Sequence, residues 1–186
     1  MKKIVILSAL LSITLLNATT NKEIKTEAKA AIMKMGKSLK SNMKKNMKKG
    51  GPSKAAEFCS DEAQNIEKKI NSSYKPGINV KRISLKLRNP DNSPTTDEKI
   101  VLQQIQKDYT NHVKIPKMIV KQISDNTYKV YKPIFLKKNV CLKCHEDINH
   151  RDKKAYKIIK KRYPHDKAIG YKTGDFRGAF VVKIVK

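Results

Sequence analysis

The sequence predicts one α+β domain, with helices first and an antiparallel sheet after them, and three observations carry that expectation. Apolar residues from Ile24 to Ile70 recur at three- and four-residue intervals, the period of a helix with one buried face. Beyond Gly77 the chain turns to β-branched and aromatic stretches divided by Pro, Asn and Gly, the pattern of short strands and turns. The length suits a single domain whose core needs no disulfide staples, and no internal repeat divides it.

The elements follow in order. Lys2 and Lys3 precede the apolar run Ile4 to Leu16, which is short for a bilayer span and ends in Asn17-Ala18-Thr19, so residues 1–18 read as a secretory signal cut after Ala18. An uncleaved N-terminal anchor is the alternative. The domain then occupies 19–186, with long helices over 22–70 and the sheet part over 78–186. Ile24, Ala28, Ala31, Met35, Leu39, Met43 and Met47 mark the first helix, which ends at Gly50-Gly51 and sends its methionines to the core. After Pro52, with Ser53 as cap, a second helix aligns Ala55, Cys59, Ala63, Ile66 and Ile70, so Cys59 points inward.

Ile83, Leu85 and Leu87 alternate with polar neighbours, as in a half-buried strand that Asn89-Pro90-Asp91 ends. Thr95 and Glu98 form a capping box for a short helix carrying Val101, Leu102 and Ile105. Lys117 to Ser124 and Thr127 to Phe135, divided by Asp125-Asn126, read as a hairpin. Lys153 to Arg162 forms one more helix, and Gly178 to Val185 a last apolar strand. The expected sheet has four or five strands and is covered on one face.

The chemistry lies in Cys141-Leu142-Lys143-Cys144-His145. Two thiols three apart, with a histidine directly after the second, form the attachment sequence of a c-type haem. Cys141 and Cys144 would add to the haem vinyl groups as thioethers, and His145 would be the proximal iron ligand. A zinc site would need a second ligand pair at similar spacing, and none exists. Haem attachment of this kind takes place outside the bacterial cytoplasm, which agrees with an exported, periplasmic chain.

The formal charge of +26 comes mainly from lysines spread along the chain. Without clustered arginine and interleaved aromatics, and with an export signal, this is not the footprint of a nucleic-acid binder. It describes a solvated lysine-rich surface, or one that steers the protein toward an acidic redox or signalling partner or an anionic membrane surface.

The distal iron ligand decides what such a site does. Every methionine, Met118 being the last, precedes Cys141, which disfavours the layout of common small cytochromes. His112, His150 and His165 sit among turn or charged residues and read as exposed side chains. Cys59, without a disulfide partner once the other two cysteines hold haem, is either a thiolate ligand or an inert buried cysteine.

Gly51-Pro52 with Ala55-Ala56-Glu57-Phe58-Cys59, the run Val80 to Pro90 (VKRISLKLRNP), Lys132-Pro133-Ile134 and the closing run Tyr163 to Val182 resemble a family of exported haem-c domains long catalogued as of unknown function. The resemblance spans nearly the whole mature chain. It implies a PAS-like fold, one covalent haem c and axial ligation by a histidine and a cysteine, which map to His145 and Cys59. The family usually carries glycine where Glu146 stands and threonine where Ile83 stands. Arg82, Arg88 and Arg177 are candidates to pair with the haem propionates.

The resemblance implies redox or small-ligand sensing at least as much as electron carriage, and no enzyme activity. A sensor would release Cys59 on reduction and pass the change to a partner protein. A low-potential electron carrier would keep both ligands in both oxidation states. A peroxidase-like enzyme would need an open distal side with a general acid-base group, and no such constellation stands out.

Overall fold

The computed structural model describes residues 3–137 and 139–186, with side chains from Asn21 onward, so the signal expected over 1–18 lies outside the side chains described. Helix α1 runs Lys3–Asp61 and breaks at Gly50 and Gly51, where the backbone leaves the helical region. Gly51 has φ of 65°, open to glycine at little cost, and the helix restarts at Pro52, whose fixed φ suits a first helical position, so Ser53 lies inside the helix and is not the expected cap. Helix α2, Ala63–Asn71, continues it. No helix among the described residues is long and apolar enough to cross a membrane.

Four antiparallel strands follow: β1 Ile78–Ile83, β2 Ile119–Ser124, β3 Thr127–Phe135 and β4 Phe176–Val185, in the spatial order β1-β4-β3-β2. Between them lie a 3-10 turn at Pro90–Asn92, α3 Thr96–Thr110, α4 Asn139–His145 and α5 Lys153–Arg162. Glu98 accepts from the Thr95 backbone N–H at 3.0 Å, which closes the expected capping box. The order and pairing give the single α+β, PAS-like domain that the sequence analysis expects.

Two features differ from expectation. The sheet is covered on both faces. Val80, Val130, Val182 and Ile184 pack beneath Ile24, Ala28, Ile32 and Met35 of α1. Ile83, Tyr131, Ala179 and Val181 pack against Val101, Leu102 and Ile105 of α3 on the other side. The first strand also ends at Ile83, and the alternation through Leu87 is not a strand. There the Ser84 hydroxyl accepts from the Lys86 N–H at 3.2 Å and donates to the Arg177 carbonyl at 2.9 Å, a local alternative to ladder bonding that turns the chain away from the sheet.

Candidate functional site

The segments that leave the sheet at this end enclose one cavity, bounded by α1, α4, α5 and the stretch after β1. Its volume is about 240 Å³, against the roughly 10–15 Å³ that one ordered water needs by the same measure. That is room for a large organic group. Cys59, Cys141, Cys144, His145, Arg82, Arg88 and Arg177, which the sequence analysis singles out, all line it. His112, His150 and His165 do not, and all three are exposed.

The attachment sequence folds as α4, so Cys141 and Cys144 stand three apart on one helical face and His145 follows four after the first. Leu142 anchors the opposite side of the helix against Leu136, Ala168 and Tyr171. The His145 Nδ1–H donates to the Ala168 carbonyl at 2.8 Å, and the Tyr171 ring meets the imidazole edge-on at 6.0 Å between centroids. Because a carbonyl only accepts, this bond puts the proton on Nδ1 and leaves the Nε2 lone pair for a metal. Burial, together with the positive charges of Arg88 and Arg177, holds the His145 pKa well below the ordinary histidine range, so the imidazole stays neutral. Burial pushes the Cys144 thiol up to about 11.

Cys59 comes from the part of α1 that follows the glycine break. The structure corrects the expectation that it points into the core: its side chain is accessible, and that surface belongs to the cavity, while Ala55 and Ala56 beside it are buried. An inert core cysteine is not what this position describes. The cavity walls around it still keep bulk water away, which raises its pKa, and the positive charges of Arg82 and Arg88 oppose the rise. None of the three cysteines is in a disulfide.

The three arginines reach the cavity with different commitments. Arg88 donates from Nε to the fully buried Asp166 carboxylate at 3.2 Å and from one terminal nitrogen to the carbonyls of Cys144 at 2.6 Å and Ala168 at 3.2 Å. Arg177 donates to the Ser84 hydroxyl and to the Lys86 carbonyl, and burial lowers its pKa. Arg82 bonds Gln64 at 3.3 Å, and its buried Nε faces the Glu67 carboxylate at 3.6 Å, an ion pair too long to be a hydrogen bond. With one hydrogen bond, its guanidinium is the least committed of the three.

Other lining residues escaped the sequence analysis. Met43 and Met47 are half-buried cavity residues rather than core, because the turn of α1 that carries them runs past the end of the sheet. Their spacing gave only a helical face, without saying what that face meets. Tyr163 and Asn92 also line the cavity, and the Asn92 side-chain oxygen is buried without a partner. Glu146 is half-buried and does not require the glycine usual at its position, since His112 is the one non-glycine residue with positive φ among the described residues.

These residues fit a haem. Paired thiols on one helical face, an imidazole with its Nε2 lone pair available, a second sulfur on the cavity wall and a cationic rim match what that group offers. Among solved structures, the crystal structure of the cyanobacterial heme-protein Tll0287 matches with a TM-score of 0.61 at 23% identity, over 86% of this chain and 96% of that one, which shows a shared fold. No curated protein matches the chain. The model of the Tll0287-like family matches residues 17–185, nearly the whole sequence, and the chain belongs to that family.

Proposed function

We propose that this is an exported, periplasmic c-type haem protein, with one haem bound covalently by Cys141 and Cys144 and axial ligands His145 and Cys59, that works as a redox or small-ligand sensor. The observation that carries the reading is the convergence on one cavity of Cys59 with the two paired thiols and His145, from segments more than eighty residues apart. The family relationship and the likeness to Tll0287, a heme-protein, support it.

Haem supplies an iron whose one-electron change between ferric and ferrous alters its preference for anionic ligands. The chain supplies the rest. Ala168 orients His145, and Arg82, which lines the cavity with one hydrogen bond on its guanidinium, would be the arginine least committed elsewhere and so the first candidate to hold a propionate. The raised pKa of Cys59 favours a switch over a permanent ligand, because a sulfur released into this setting takes a proton in neutral water and becomes a weak ligand. The break at Gly50-Gly51 separates the helical segment carrying Cys59 from the segment packed on the sheet. The reading is of a binding and switching protein, not an enzyme.

The second reading, a low-potential electron carrier, rests on the +26 charge, which suits brief docking to an acidic partner. The optical spectrum of periplasmically expressed protein separates the two, in the ferric form and after dithionite reduction with and without carbon monoxide, beside Cys59→Ala. Thiolate features absent from the variant, with carbon monoxide binding to the reduced wild type, establish the switch. Thiolate features that persist on reduction and exclude carbon monoxide favour the carrier. An unchanged spectrum in the variant removes Cys59 from the iron.

A further inference from the structure

We infer that Arg88, paired with Asp166, is a positioning residue that sets the electron-donating strength of His145 through the carbonyl they share. The inference rests on the haem reading, since it concerns how His145 would serve an iron.

The geometry is a closed network. One terminal nitrogen of Arg88 donates to Cys144 O and Ala168 O, binding the end of α4 to the 166–168 turn. Its Nε donates to Asp166, and the Asp166 carboxylate also accepts from the Ala168 N–H at 2.8 Å. Asp166 has no exposed side-chain surface, so the ion pair is held out of solvent. Ala168 O is the acceptor for the His145 ring N–H at 2.8 Å. Ala168 is thus gripped at both backbone polar groups, one by each member of the ion pair.

The consequence is electronic as well as steric. A carbonyl oxygen that already accepts from a guanidinium offers less electron density to a second donor. The His145 N–H···O bond is therefore weaker than the same bond to a free carbonyl, and the imidazole is less anionic. Basicity of a ligating histidine rises with the strength of that bond, and a more basic ligand favours ferric iron. Arg88 thus holds the potential higher than the ligand set alone would give.

The test is the reduction potential of haem-loaded Arg88→Gln, Arg88→Lys and the charge-neutral pair Arg88→Gln with Asp166→Asn, each checked for covalent haem by staining a denaturing gel. All three should favour the ferric form by about tenfold, about 59 mV for one electron, with the ferric axial-ligand spectrum retained. The lysine variant keeps the charge, but its single ammonium does not reproduce the planar fork. If Arg88→Gln yields no loaded protein, the lysine variant decides alone. Potentials at the wild-type value, or a drop in Arg88→Gln that the charge-neutral pair and the lysine variant abolish, would overturn the inference and leave simple charge or none. Absence of covalent haem from the wild type would instead defeat the haem reading.

Discussion

The hydroxyl of Tyr163 donates to the backbone carbonyl of Ser60 at 3.1 Å, joining the end of α5 to the residue after Cys59. Ile159, a turn earlier, packs against Ala56 on the same stretch of α1. The wall that carries the proposed distal ligand is therefore held by α5, the helix that follows the attachment sequence.

Tyr163→Phe should loosen that wall without emptying it. The loss of one hydrogen bond costs about 0.5–1.5 kcal/mol, readable in urea unfolding. The reduction potential of the haem-loaded variant should rise above that of the wild type, because a looser wall holds Cys59 less firmly on the ferric iron. An unchanged potential in a redox titration would show that α5 does not restrain the distal side.

The raised pKa of Cys59 gives the reduction potential a pH dependence. A thiolate bound to ferric iron carries no proton, and the sulfur released on reduction takes one at any pH below its raised value, which lies above the ordinary thiol range of about 8.5. Reduction is thereby coupled to proton uptake, so the potential should fall as pH rises through neutrality, approaching about 59 mV per unit. Cys59→Ala should lose most of the slope in a redox titration from pH 6 to 8.

Glu98 ties α3 to the sheet. Its carboxylate is nearly without exposed surface and lies 2.9 Å from Lys81 and 3.0 Å from Lys129. Burial raises its pKa, but the bonds from Lys81, the Thr95 N–H and Lys129 outweigh that and leave it below the ordinary value. A depressed carboxylate stabilises the fold above the unfolded pKa, about 4.3 for Glu, and that contribution disappears as pH falls through the lower folded value. Glu98→Gln should cost about 1.5–3 kcal/mol at pH 7, and the gap to wild type should close in acid unfolding below pH 4.

Gly178 has φ of 150°, and a Cβ there would collide with the Ile83 carbonyl oxygen where β1 ends. Gly178→Ala should cost about 1–3 kcal/mol by thermal or urea unfolding, and it should disturb Arg177 and Ser84 next to it. A neutral substitution would show that β1 and β4 can shift apart at this point.

Local patterns carried much of this protein into view before any coordinates. The helical period of α1, its break at Gly50-Gly51, the capping box at Thr95 and Glu98, the turn at Asp125-Asn126 and the spacing of Cys141, Cys144 and His145 each involve residues within a few positions of one another. Such signals survive in a sequence because sterics and short-range hydrogen bonds decide them. The apparent strand through Leu87 failed for the same reason in reverse. Alternation is local, but Ser84 turns the chain by bonding Arg177, ninety-three residues away.

Sequence alone determined the order of elements, the paired thiols with their histidine, and the lone cysteine as a candidate partner. Only the tertiary structure decided that Cys59 faces a cavity instead of the core, that Met43 and Met47 join it, and that Arg88 braces His145 through Ala168 while Arg82 pairs with Glu67. A helical period says which residues share a face, but which element packs on that face depends on contacts closed across most of the chain.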